Sequence, residues 1–285
     1  MEYSNPKIPE GINTTTENPL KEFFILSIGV LGLIFIAVII LSLAAEKLAV
    51  YVPFKTEQSL IPEMWAQIEP GTESETSKLT REYMQTLSDR LAVQMQLPEE
   101  MEITVHYIEG DVINAFATLG GHIFIYQGLL YELHSENALA MVIAHEMAHV
   151  YHRHPIIAMG RGFVIGLLLT AISGASSDLF VGQVVSETGM IALLNFSRDQ
   201  EREADITALT AVNGLYHHVA GTNDLFKALM KVHGADEAEP PVFLSTHPLT
   251  QDRIDDLIDY AQEKGWDTDT KLTPIPQNLG LGQHH

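Results

Sequence analysis

The sequence predicts an α+β protein in which an N-terminal transmembrane helix precedes a mostly helical domain carrying a small antiparallel sheet. Three observations lead there. Residues 23–45, "FFILSIGVLGLIFIAVIILSLAA", run without a charge. Three short strand-like runs cluster between residues 101 and 127, separated by turn residues. Elsewhere apolar residues recur at helical spacing, and one such stretch, "AHEMAHVYHRHP" at residues 144–155, packs four histidines and a glutamate together.

Taken in order, residues 1–22 are polar and proline-rich and read as a flexible tail. The run at 23–45 would cover roughly 35 Å as a helix, against a hydrocarbon core of about 30 Å, and reads as a membrane anchor. Ser42 and Ala44 form the small-x-small pair of a signal-peptide cleavage site. The apolar run is nevertheless longer than a usual signal core, and no basic segment precedes it, so an uncleaved anchor is preferred. Lys7 and Lys21 before the span balance Lys47 and Lys55 after it, which leaves orientation unmarked by charge. A short tail kept in the cytoplasm would put the domain outside it, and the expected location is a single pass through a bacterial inner membrane with that topology. Residues 46–73, with prolines and a Pro-Gly turn, read as an irregular connector.

The folded domain is expected at 74–262. Leu79, Tyr83, Leu87 and Leu91 place an amphipathic helix over 74–95. "MEITVHYI" (101–108), "VINAFAT" (112–118) and "HIFIYQ" (122–127) read as antiparallel strands, with turns at Glu109-Gly110-Asp111 and Gly120-Gly121. The chain then reads as one long helix to His154, with Ser135 as a cap and Pro155 as a stop. Residues 156–195 hold two apolar runs, each short for a bilayer, and read as a helical hairpin that lies beside the site or dips into the membrane surface. Residues 197–233 are helical in pattern, a last amphipathic helix follows "HPLTQ", and 263–285 reads as a loose tail.

Composition narrows the function. With 46% apolar residues, 285 residues can bury a substantial core. A net charge of −21 argues against nucleic acid as a partner, because phosphate binding depends on excess Lys and Arg. There is no cysteine, so thiolate metal sites and cysteine nucleophiles are excluded, and any metal falls to His, Asp and Glu.

The histidine-rich stretch contains HExxH as His145-Glu146-Met147-Ala148-His149. On a helix, positions i and i+4 stack on one face, so both imidazoles reach one ion while Glu146, a residue on, reaches a water there. A third ligand is required. His154 is wrongly spaced for the extended HExxHxxGxxH pattern, which would put a glycine at 152 and a histidine at 155. His152, just before the helix end, fits a supporting or surface role better. "SRDQEREAD" offers Glu201 and Asp205 at i and i+4, one carboxylate to ligate and the other to hold a ligand imidazole.

Ser197, Arg198, Glu201, Ala204 and Asp205, set after HExxH, resemble the signature of the membrane-associated zinc endopeptidases of the HtpX and CAAX-prenyl-endopeptidase type. "NAFATLGGHIFIYQGLL" (114–130) is similar to that family's strand–turn–strand segment, and "STHPLTQDRID" (245–255) to its His-Pro…Arg-Ile segment. The resemblance covers residues from about 75 to 262 and implies a zincin-like fold. The single anchor resembles the family's shorter quality-control branch.

The resemblance implies one zinc ion per chain on His145, His149 and Glu201, with Glu146 as the base and Asp205 behind a ligand histidine. It places His247 and Arg253 near the cleft, where they would stabilise the oxyanion of a hydrolysed peptide. A helix cap before Pro248 and a surface salt bridge are the plainer alternatives for these two. Asn114, Gly121, His122, Ile123 and Phe124 would form the edge where an extended substrate pairs. Expected partners are misfolded or membrane-associated polypeptides and the lipid bilayer. A membrane-tethered chaperone or adaptor with a latent zinc site is the competing reading, supported by the apolar hairpin. A structural protein with an incidental HExxH would leave four ordered motifs unexplained.

Overall fold

The computed structural model describes residues 18–65, 74–173, 194–224, 226, 242–248 and 250–279. The chain divides into two units, Met1–Leu41 and Ser42–His285. The described part of the first lies in α1, Pro19–Ala49, a 31-residue helix whose most apolar window has a mean hydropathy of 3.1 and is nowhere buried. It is long and apolar enough to cross a membrane.

The second unit is built around α5, Glu136–Tyr151. Ser135 caps it, its Oγ accepting the Ala138 N–H at 3.1 Å, and every residue from Glu136 to Val150 is buried. A helix without a solvent face must be wrapped on all sides, and α5 is the central rod of the core. α3 (Glu75–Met95) turns Met84, Leu87 and Leu91 inward after its Ser74 cap. α7 (Arg198–Tyr216) opens on a capping box between Ser197 and Gln200 and packs along α5. α9 (Gln251–Glu263), capped by Thr250, adds Ile254, Leu257 and Ala261.

The expected all-antiparallel sheet is corrected to a mixed one. Strands β1 (Thr104–Ile108), β2 (Ala115–Ala117) and β3 (His122–Tyr126) lie in the order β1-β3-β2. β2 and β3 form the antiparallel pair that their tight turn requires, with Phe116 opposite Phe124, while β1 runs parallel to β3 with Thr104 opposite His122. β1 is joined to β2 by a loop rather than a hairpin, which frees it to pair on the far side of β3. β3 is buried on both faces from Ile123 onward, as β2 is throughout, so it is the pairing and not burial that marks β3 as central. Gly121 is required at the turn: φ is +82°, and a Cβ there would sit 2.1 Å from the Glu102 carbonyl oxygen.

Three further boundaries differ from expectation. The expected single helix to His154 is interrupted: α4 (Gln127–Tyr131) is a separate short turn, and α5 ends at Tyr151. Arg153 adopts φ 65°, and α6 (His154–Ser173) starts at once, so Pro155 stands in the first turn of a new helix, where its missing N–H costs nothing. α6 covers the start of the segment expected to form a hairpin at 156–195, and residues 174–193 of that segment lie outside the described residues. The connector contains α2 (Phe54–Trp65), whose buried Glu57 accepts the Gly120 N–H and pairs with Arg153. Part of the expected C-terminal tail is docked: Thr273 bonds the start of α5 through the Glu136 N–H and Asn137 Oδ1, each at 2.8 Å, and Leu279 is buried. Backbone groups left over at the start of α5 supply the reason.

Candidate metal centre

One helical turn apart on α5, His145 and His149 bring their Nε2 atoms within 3.1 Å of each other. α7 crosses α5 and delivers Glu201, with Oε2 3.5 Å from His145 Nε2 and Oε1 3.6 Å from His149 Nε2. His247, carried at the end of α8 (Val242–Thr246), completes a group whose four donor atoms all lie within 4.8 Å of one another, every residue buried. His247 Nδ1 is 3.1 Å from Glu201 Oε1 and 3.3 Å from His145 Nε2.

The chemistry of this donor set fits a cation. Burial pushes the His145 imidazole toward its neutral form, yet Asp205 and Glu201 outweigh it and raise the group to about 10. The pocket therefore demands positive charge where the ring nitrogens point. Burial likewise pushes the Glu201 carboxyl up, and His247, His145 and His149 overcome it and hold it well below the usual carboxylate range. Glu146 is the exception: burial raises its carboxyl against the pull of His247 and His145, and neither oxygen completes a hydrogen bond. Its nearest charged partner is His247, with Nε2 3.5 Å from Oε1. A buried carboxylate with so few partners is costly, and His247, His145 and the Ala117 backbone are the groups that offset its burial.

The predicted residues fall into three sets. His145, His149, Glu201, Glu146 and Asp205 come together as expected, Asp205 Oδ1 lying 3.0 Å from His145 Nδ1. His247 and Arg253 also arrive, but with different partners from those expected. His247 faces the donor group itself. Arg253 turns its fork onto Asp205, with Nε and Nη2 each donating at 2.8 Å, and sets Nη1 2.7 Å from Glu201 Oε2. Its guanidinium is thus engaged by the two α7 carboxylates rather than free on the surface or aimed at a substrate oxygen. The third set is the substrate edge, and here the expectation fails: Ile123 and Phe124 belong to the central strand, whose backbone is already paired on both sides. His122 begins that strand and stacks on His106, with Nδ1 and Nε2 2.9 Å apart. Asn114 immediately precedes β2, fully buried, with neither side-chain polar atom hydrogen-bonded.

Sequence reasoning missed two contributors. Phe196 stacks on His149 with ring centroids 4.1 Å apart, and His154 meets His149 Nδ1 with its own Nδ1 at 2.9 Å. Phe196 sits directly before the capping serine of α7, a position that would have pointed to it. A cleft of about 190 Å³, lined by Phe196, Glu201, Pro248 and Arg253 among others, opens beside the group.

The sequence profile of peptidase family M48 matches residues 78–261, which contain the whole group. The chain belongs to peptidase family M48. Zinc is the cofactor of the family's metalloproteases, and the His145, His149, Glu201 and His247 group is one that can hold it. The M48 chain is 30% identical over 195 residues to a putative beta-barrel assembly-enhancing protease of Vibrio cholerae, covering 64% of this chain and 39% of the relative. To the mitochondrial metalloendopeptidase OMA1 of Schizosaccharomyces pombe it is 30% identical over 168 residues, 58% of this chain and 48% of the relative. To metalloprotease LoiP of Escherichia coli it is 30% identical over 164 residues, covering 56% and 62%. The match thus spans under half the length of the first two relatives.

Proposed function

We propose that this M48 chain is a single-pass, membrane-anchored zinc endopeptidase whose domain faces out of the cytoplasm and cleaves misfolded or membrane-associated polypeptides. The observation that carries the reading is the fully buried Glu146 carboxylate beside the donors His145, His149 and Glu201. Those three residues would hold the ion. Zinc, when bound, supplies Lewis acidity that polarises a peptide carbonyl and acidifies water. Glu146, with its carboxyl raised by burial, takes the proton of the attacking water and returns it to the leaving amine. Asp205 holds His145 from behind, and Arg253 holds Asp205 and Glu201 in place.

His247 has the geometry of a fourth donor, and four protein donors make a closed site, whereas a catalytic one keeps a position open. His247 therefore serves as a latch that withdraws before turnover, in place of the oxyanion role inferred from sequence. Phe243 ties the same segment to the sheet, its N–H donating to the Ile113 carbonyl at 3.2 Å. With β3 internal, the substrate backbone pairs along β2, beside Asn114.

A tethered chaperone is favoured by one observation, the exposure of Phe163 and Ile165 on α6. Casein cleavage by the full chain in detergent micelles separates the two readings. The enzyme loses activity to a chelator and regains it with zinc, whereas cleavage that survives chelation would sink the proposal.

A further inference from the structure

The far sides of the two ligand histidines are held by different chemistry. His145 Nδ1 faces a buried carboxylate, Asp205, directly. His149 Nδ1 instead meets another imidazole, His154 Nδ1, at 2.9 Å, and His154 Nε2 continues to Glu203 Oε2 at 3.3 Å. Glu203 is half exposed on α7, and its other oxygen is 3.2 Å from His152 Nδ1, while His152 Nε2 reaches Thr207 Oγ1 at 2.8 Å. Four residues thus link the inner face of a donor to the protein surface across the junction of α5, α6 and α7.

Proton placement gives the chain a direction. His149 Nε2 belongs to the donor group, so its lone pair must be free and its proton must sit on Nδ1. That N–H donates to His154 Nδ1. His154 then carries its proton on Nε2 and donates to Glu203. Every link is satisfied with neutral imidazoles and one carboxylate. His154 is itself buried and therefore fixed, whereas Phe196 stacks on the His149 ring without distinguishing one ring edge from the other. A stacked imidazole can turn over about its Cβ–Cγ bond and remain stacked. Only a hydrogen-bond acceptor at Nδ1 selects the orientation that presents Nε2 to the ion.

We propose that His154 is a positioning residue for His149, an acceptor at the head of a relay anchored by Glu203. The proposal rests on His149 being a ligand. It explains why an apparently misplaced histidine, rejected as a ligand on spacing, is buried beside the centre. The partner of a ligand imidazole is usually a carboxylate or backbone carbonyl; here an imidazole relays the carboxylate from a more exposed position.

The test is zinc affinity of the full chain in detergent, measured by chelator competition, with the visible absorption of the cobalt-substituted protein as a second readout. His154→Asn places an amide oxygen where the imidazole Nδ1 lies and keeps the acceptor; His154→Phe keeps a ring and removes it. The Phe variant is expected to bind zinc roughly 10–100-fold more weakly with an altered cobalt spectrum, and the Asn variant to retain most of the affinity and the wild-type spectrum. Glu203→Gln weakens binding in the wild-type background, because a Gln amide can donate to His154 Nε2 and let the proton sit on Nδ1, and it adds nothing to His154→Asn, whose amide oxygen accepts without help from Glu203. Equal loss in the Phe and Asn variants, or no loss in either, overturns the proposal. His145→Ala, measured alongside, tests the ligand assignment itself: if that variant binds zinc like wild type, the assignment fails, and with it the relay.

Discussion

Arg253 shows why neighbouring functional residues can be identified from sequence while their roles stay hidden. The family resemblance puts His247 and Arg253 near the cleft, but Pro248 and the Thr250 cap separate His247 from the helix that carries Arg253. His247 enters the donor group, and Arg253 is consumed by Asp205 and Glu201. Removing the guanidinium leaves two buried carboxylates undercompensated, so Arg253→Ala is expected to cost about 3–5 kcal/mol and Arg253→Lys less. Thermal unfolding of the zinc-free chain measures it, and an Arg253→Ala variant melting with the wild type would refute the structural role. His247→Ala separates latch from oxyanion donor: a latch predicts faster casein cleavage with zinc retained, an oxyanion donor predicts slower cleavage. The meeting of His145, His149 and Glu146 was legible because helical spacing dictates which side chains share a face, whereas Glu201, on another helix, was brought to them by the family resemblance. The contacts of Phe196 and His154 with His149 were not legible, because they are made across helix junctions that periodicity does not describe.

Helices α3, α5, α7 and α9 announced themselves through caps and apolar spacing. The sheet was half legible: alternation marks a strand and a glycine pair marks a turn, but neither says which strand lies in the middle. Burial does not decide it, since β2 and β3 are both buried; the pairing order β1-β3-β2 does, and it puts β2 rather than β3 at an edge of the described sheet. Gly121, expected among substrate contacts, has a structural duty at the turn that leads into β3. Gly121→Ala forces a left-handed φ on an L side chain and drives its Cβ against the Glu102 carbonyl. The expected result is destabilisation well above the ~1 kcal/mol of an ordinary glycine-to-alanine change, seen as a lower melting temperature; a neutral substitution would show that the turn is not held as described. The docked segment around Thr273 was read as loose because its contacts are backbone hydrogen bonds to a distant helix start, which leave no trace in composition.

The molecule as a whole joins an apolar N-terminal helix to an M48 domain whose buried α5 carries His145, Glu146 and His149. The acidic, cysteine-free composition restricts metal binding to imidazole and carboxylate, and the fold assembles those groups at one point. The central claim is that zinc is held without Glu146 while peptide hydrolysis requires it. The most direct measurement is zinc content together with casein cleavage by the full chain in detergent, wild type beside Glu146→Gln. The account predicts about one zinc per chain in both proteins and cleavage by the wild type alone. Cleavage by Glu146→Gln at the wild-type rate would contradict it.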